Sequence, residues 1–298
     1  MKSGIINVYK EAGFTSFDVV AKLRGILGIK KIGHTGTLDP DATGVLPICV
    51  GKATKVCDLL TDKDKTYRAV MRLGVVTDTQ DMTGKVLCRR EVNVTEASVR
   101  EAISSFVGPV EQIPPMYSAL KVNGKKLCDL ARQGVTVERT SRTVMIHNIT
   151  VIDVALPLVT MEVTCSKGTY IRTLCQDIGE KLGCGACMDS LVRTRVSGFT
   201  LEESLTLEQI ETLVERGVIE DYMTTVDSLF EHLPAIYASE AATQKLNNGN
   251  AVTEDEVICD KWDFREGAPV RMYLSGGVFV GIFSWKEHRF KPEKMFLE

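Results

Sequence analysis

The sequence is poor in the features that mark several common classes of protein. Its 298 residues include only two tryptophans and nine prolines, and 6% are aromatic. Nowhere is there a run near the roughly 20 consecutive apolar residues that a membrane-spanning helix needs. Nine cysteines, an odd number spread from Cys49 to Cys259, do not suggest a disulfide framework. The opening Met1-Lys2-Ser3-Gly4-Ile5 lacks the apolar core of a secretion signal, so a reducing, cytoplasmic setting without a membrane is expected. No internal repeat, dinucleotide-binding glycine fingerprint or serine nucleophile elbow is present. Gly44 through Gly51-Lys52-Ala53 approaches a phosphate-binding P-loop, but the glycine spacing is too long and Ala stands where Ser or Thr is required. The histidines at 34, 147, 232 and 288 are dispersed, and Cys184-Gly185-Ala186-Cys187 has no second pair to complete four ligands. No metal site is expected.

What is present is an ordinary globular composition, 44% hydrophobic and 25% charged, in a chain long enough for one large domain or two smaller ones. The net charge of −3 argues at first against a nucleic-acid partner. Its distribution argues otherwise. Residues 202–260 hold 14 acidic and 2 basic side chains, a local −12, so the remainder carries +9. Between 113 and 145, Lys121, Lys125, Lys126, Arg132, Arg139 and Arg142 stand against Asp129 and Glu138 alone. Each lysine by itself reads as solvated surface; the cluster reads equally as a face for a polyanion.

Apolar spacing predicts a strand over 5–9 and a helix over 16–27, with Phe17, Val20, Leu23 and Leu27 inward and Ser16 as cap. Strands are expected over 67–73 and 159–165, and helices over 95–106, 169–182 and 207–216. Without a regular βαβ rhythm, the layout is expected to be α+β. Past Pro234, a short helix over 236–246 and strands over 257–285, with a Ser275-Gly276-Gly277 turn, predict a small β-rich domain from about 235.

Three segments carry chemistry. Gly33-His34-Thr35-Gly36-Thr37-Leu38-Asp39-Pro40-Asp41-Ala42-Thr43-Gly44 is a tightly turned loop that can hold one carboxylate rigidly, although its aspartates also suit simple turn capping. Lys65-Thr66-Tyr67-Arg68 sets a tyrosine in a strand, suited to stacking on a base or to a place in the core. Cys165 to Leu174 runs from strand through Gly168 into a helix with Arg172 in its first turn, where the helix dipole disfavours a cation and an anionic partner is called for.

Taken in order, these motifs resemble the TruB family of tRNA pseudouridine synthases. So do Leu191-Val192-Arg193-Thr194 with Gly198-Phe199, and Gln112 to Lys121 with Gly124-Lys125-Lys126 and Ala131-Arg132-Gln133-Gly134. The chain departs from the family pattern at Glu11, where Pro is common, at Asp41, and at Cys128, where an aromatic is common. The resemblance implies a pseudouridine-synthase core over 1–234, with a mixed, largely antiparallel sheet flanked by helices and an RNA-gripping insertion at about 113–140. A PUA-like RNA-binding domain would follow over 235–298, reaching RNA through Lys261, Arg265 and Arg271. It further implies isomerisation of uridine 55 in the tRNA T loop, by base flipping, with neither cofactor nor guide RNA. Asp39 would be nucleophile or base, Arg172 would lower its pKa and keep it ionised, and Tyr67 would hold the base near the C5 proton. His34 would fill the flipped base's place, and Tyr170 and Leu191 would line the pocket. Lys121, Lys125, Lys126 and Arg132 would hold the tRNA. Asp78 and Asp81 would order the pocket or cap a turn. The partner implied is tRNA through its T stem-loop, with the chain a monomer needing no protein partner. Two alternatives stand beside this: an RNA-folding factor that uses the same cleft without catalysis, and a guide-RNA-dependent synthase.

Overall fold

The computed structural model of the chain describes residues 3–122, 124–258 and 265–297; Lys261 and Cys259 lie outside these. A nine-stranded sheet forms the body. Its strands in chain order are β1 (Gly4–Lys10), β2 (Ile32–His34), β3 (Thr43–Val50), β4 (Lys65–Leu73), β5 (Gly108–Gln112), β6 (Arg142–Ala155), β7 (Leu158–Cys165), β8 (Ala186–Val196) and β9 (Phe199–Thr200). They lie in the order β1-β3-β8-β4-β7-β6-β5, with β2 on β3 and β9 on β8. Within this sheet, among the described residues, every strand pairing is antiparallel except β8 beside β3, which runs parallel over Val192↔Thr43 and Arg193↔Gly44. The architecture is α+β.

Helices α1 (Ser16–Leu27), α2 (Glu96–Ser104), α3 (Leu127–Arg132), α4 (Ile171–Lys181) and α5 (Leu207–Glu215) accompany the sheet. Two cores result. Helices α1 and α5 bury Val19, Val20, Leu23, Ile210 and Leu213 against Ile6, Val8, Leu46 and Ile48 of β1 and β3. Helices α2 and α4 bury Val99, Ile103, Leu174 and Ile178 against Ala69, Met71, Met161 and Val163 of β4 and β7. The strands owe their register to period-two burial, clearest in β7, where alternate residues are buried from Val159 to Cys165.

The first helix is built differently from the sequence expectation. Thr15, not Ser16, is its N-cap, because Asp18 three residues on completes a capping box with the Thr15 backbone and side chain. Ser16 is buried instead, and its Oγ accepts the Leu38 N–H at 2.9 Å. Phe17 lies off the buried stripe, 62% exposed, with Arg24 over its ring.

A second, six-stranded sheet follows: β10 (Ala235–Ala238), β11 (Val252–Thr253), β12 (Val257–Ile258), β13 (Pro269–Tyr273), β14 (Phe279–Lys286) and β15 (Arg289–Met295), in the order β11-β15-β14-β13-β10-β12. The expected helix over 236–246 is therefore wrong in its first half. Residues 235–237 pair in parallel with Arg271–Tyr273, and within this stretch helical structure is confined to a 3-10 turn at Glu240–Ala242 and α6 (Thr243–Asn247). Phe279 and Ile282 of this sheet, with Phe296 just past its last strand, pack against Ile5, Val45, Val196 and Phe199 of the body.

Candidate active site

The loop joining β2 to β3 is tied down from three sides. Gly36 and Gly44 take φ of 135° and 105°, open to glycine alone, and a Cβ on Gly44 would lie 2.2 Å from the Arg193 carbonyl across the short parallel pairing. Ser16 holds the Leu38 amide from α1. Lys10, fully buried at the end of β1, donates Nζ to the Pro40 carbonyl at 2.8 Å and to the Glu11 carbonyl at 2.9 Å. Burial pushes the Lys10 amine down to about 8. Asp39 thus stands between two anchored neighbours.

Arg172 reaches that carboxylate from the first turn of α4. Its Nε lies 2.9 Å from Asp39 Oδ2, and an Nη donates to Asp39 Oδ1 at 3.0 Å, a two-pronged pairing. The same guanidinium donates to the Tyr117 carbonyl at 2.9 Å and the Thr79 carbonyl at 3.2 Å, and sits 3.6 Å from Asp81 Oδ2. Asp81 is itself fixed, because its Oδ1 accepts from the Thr79 and Thr83 hydroxyls and the Thr83 amide. Asp78 instead accepts the Lys85 amide and caps the turn. The anionic partner demanded by a cation at a helix N-terminus is therefore present twice over.

The electrostatics run against one expectation. Burial, opposed by Arg172 and Lys10 and reinforced by Asp81 and Asp41, leaves the Asp39 carboxyl above the ordinary carboxylate value. Desolvation outweighs the ion pair, so Arg172 limits the rise without reversing it. The 35% of the side chain that stays open to solvent also restrains it.

Tyr67 is buried in β4, directly opposite Arg193 of β8. Burial raises its phenol and the Arg193 charge opposes that rise, while Asp39 is near enough for its charge to add to it. Leu191 and Leu38 share the same apolar cluster as Tyr67. Tyr170 caps α4, and its amide and carbonyl are gripped by the side-chain amide of buried Gln112 at 3.0 and 3.2 Å. Nδ1 of half-buried His34 accepts the Gly36 amide at 3.3 Å, and burial lowers its imidazole pKa, favouring the neutral form.

The basic insertion leaves the sheet after β5. Lys121–Val122 and Lys125–Lys126 form a two-stranded hairpin with Lys121 opposite Lys126, and α3 follows, seated by buried Leu127. The lysines project on an exposed hairpin, and exposed Arg132 pairs loosely with Asp129 at 3.5 Å. Arg139 turns back to the Pro114 carbonyl and so belongs to the insertion's own frame. Among the described residues, no three His, Cys, Asp or Glu side chains are gathered as a metal ion would need.

The profile described as TruB family pseudouridylate synthase (N terminal domain) matches residues 24–171, and that described as tRNA pseudouridylate synthase B C-terminal domain matches 172–231. A protein of Lachnoclostridium phytofermentans named tRNA pseudouridine synthase B is 55% identical, covering 99% of this chain and 100% of its own length. The chain belongs to the TruB family. A namesake from Alkaliphilus oremlandii is 48% identical over 98% of the chain and 97% of its own. Among solved structures, a Cbf5-Nop10-Gar1 complex superimposes with a TM-score of 0.72 at 28% identity, covering 99% of this chain and 85% of that one. An H/ACA RNP bound to a substrate RNA containing 2'-deoxyuridine gives 0.71 at 26% identity, with the same coverage.

In this TruB chain the fold brings Asp39, Arg172 and Tyr67 into one cluster with Leu191, and sets Tyr170 and His34 on its border. The four insertion cations stand apart from it on their own hairpin and helix. Sequence reasoning passed over Arg193, Lys65 and Gln112 as site residues. Their burial, 1%, 7% and 1% exposed, is the signal, since charged and amide side chains are seldom enclosed without purpose. The bracketing of Arg193 by the closing motif was the one hint available beforehand.

Proposed function

We propose that this TruB-family chain isomerises uridine 55 in the T loop of tRNA to pseudouridine, acting alone and without cofactor, metal or guide RNA. The observation that carries the reading is the two-pronged Arg172–Asp39 pair. It presents one anchored, partly solvent-open carboxylate beside a buried tyrosine, in a chain about half identical to proteins named tRNA pseudouridine synthase B.

In the reaction uracil leaves C1′, turns, and rejoins through C5, so atoms are conserved. Asp39 serves as nucleophile or base, kept ionised chiefly by Arg172. Tyr67 holds the detached base under its ring, near the C5 proton. His34 takes the space the flipped nucleotide vacates, and a neutral imidazole suits that place beside stacked bases. Tyr170 and Leu191 wall the pocket. Lys121, Lys125, Lys126 and Arg132 meet T-loop phosphates, the sequence-independent part of recognition. Residues 1–234 form the catalytic domain, with the insertion over about 113–140. Residues 235–298 form a PUA-like domain that adds tRNA contacts, Arg265 and Arg271 among them. The enzyme works in the cytoplasm as a monomer. The stand-alone reading is favoured over the guide-dependent one by the identities, 48–55% to the synthase B proteins against 26–28% to the H/ACA structures.

Incubating the purified chain with an unmodified T stem-loop, with no other RNA present, tests this directly. Pseudouridine is expected, and Asp39→Asn should abolish it while stem-loop binding persists. Binding without product in the wild type would leave an RNA-folding factor. A requirement for a second RNA would move the chain to the guide-dependent class.

A further inference from the structure

Arg193 is a buried cation that no carboxylate among the described residues answers. It is 1% exposed, and among the described residues no ion pair engages it. Enclosing an unpaired charge is costly, and a fold tolerates it where something compensates or uses the charge. Its Nε donates to the Val45 carbonyl at 2.7 Å and an Nη to the Gly36 carbonyl at 3.3 Å, so the fork is braced against β3 and the Asp39 loop together. A Cβ on Gly36 would lie 3.8 Å from an Arg193 Nη and 3.9 Å from Lys65 Cε, ordinary contact distances that place both cations beneath this loop. Across the β4–β8 pairing, Arg193 stands directly opposite Tyr67, so the two side chains leave the same face of the sheet as neighbours and each bears on the other's charge.

Resting on the reading above, we infer that Arg193 is a positioning residue for Tyr67, fixing its oxygen and supporting the phenolate that takes the C5 proton. Once the new C1′–C5 bond has formed, C5 carries both ribose and hydrogen. The C5–H bond then breaks, and its proton passes to the Tyr67 oxygen. Its electron pair restores C5=C6, the displaced C6=N1 pair settles on N1, and N1 takes a proton from solvent. The Tyr67 phenol then returns its proton to solvent, so nothing is gained or lost overall. A neutral phenol is too weak a base for this step, and a fixed cation opposite it offsets part of the burial that disfavours the phenolate. The other groups facing Tyr67 set the balance. Asp39 and the Cys165 thiol oppose the phenolate, and Arg193 favours it against burial. Lys65, the second buried cation of the cluster, has its amine pushed down to about 8.

The test is a double-mutant cycle on the full chain acting on a T stem-loop, read as single-turnover rate with uridine carrying hydrogen or deuterium at C5. Tyr67→Phe and Arg193→Met should each slow turnover by about 10²–10⁴-fold, the usual range for a positioned proton acceptor. Stem-loop affinity should change little, and a primary C5 isotope effect should appear in both. The double variant should be no slower than the slower single. Arg193→Lys, which keeps the charge but not the reach to both carbonyls, should lie between wild type and Arg193→Met, and it carries the cycle if the methionine variant does not fold. Losses that multiply in the double variant, or an Arg193 defect without an isotope effect, would overturn the assignment. A wild type that makes no pseudouridine defeats the functional reading instead, so the two failures are distinguishable.

Discussion

Removing the Arg172 guanidinium is the sharpest perturbation of the site. Its side chain is 6% exposed and engages Asp39, Asp81 and the carbonyls of Tyr117 and Thr79. Arg172→Met matches its length and removes the charge. Breaking a buried ion pair by deleting one partner costs about 3–5 kcal/mol. Asp39, 35% exposed, can rehydrate, whereas Asp81, 12% exposed, has less access to water. The lower end, about 3 kcal/mol, is therefore expected. At about 2–4 °C per kcal/mol for a chain of this size class, the melting temperature should fall by about 6–12 °C. The fold should survive, because the apolar contacts of both main cores remain. Catalysis should drop by about 10³-fold or more, since Asp39 loses both its orientation and the cation that restrains its pKa. Arg172→Lys should recover part of the stability but little of the rate, because a point charge cannot span two carboxylates and two carbonyls. Calorimetry beside a pseudouridine assay on the same preparations reads both quantities. A methionine variant melting within 2 °C of wild type, or working within about threefold of its rate, would refute the claim that this guanidinium organises the site.

Two further outcomes follow from the loop and its charges. Gly44→Ala should destabilise by about 3 kcal/mol, from a positive φ and a Cβ driven into the Arg193 carbonyl, and thermal unfolding measures it. On the role proposed for Asp39, activity requires its ionised form, whose pKa is raised, so the rate should fall on acidification at a pH above the usual carboxylate value of about 3.9. Removing a cation that favours the ionised form should move that acid limb higher, and a pH–rate profile of Lys10→Met against wild type checks the sign.

The loop around Asp39 was legible because glycine, proline and aspartate at that density constrain the backbone whatever surrounds them. Arg172 was legible because a cation in the first turn of a helix asks for an anion. Other features depend on what packs above and below. Thr15 and Ser16 are adjacent hydroxyls, either able to cap; Asp18 favours Thr15, and only the arrival of Leu38 assigns Ser16 its bond. Residues 236–246 read as one short helix, but parallel pairing with residues 271–273 draws the first of them into a strand. The direction of the Asp39 pKa turns on burial, and cations can be counted in a sequence while burial cannot. Arg193 reads as one more arginine in an alternating strand until the parallel register with Gly44 sets it behind the Asp39 loop.

The five contacts of Arg172 also bear on how the molecule folds. One guanidinium joins Asp39, 133 residues before it in the chain, to Thr79, 93 before, and Tyr117, 55 before. None of those segments can find it until β4, β7 and β8 have paired and α4 has docked. Contacts between such distant segments must wait for loop closure, the slow part of folding. On dilution from denaturant, secondary structure should therefore return first and catalytic competence last. For this chain, the regain of activity serves as a clock for the completion of the whole sheet.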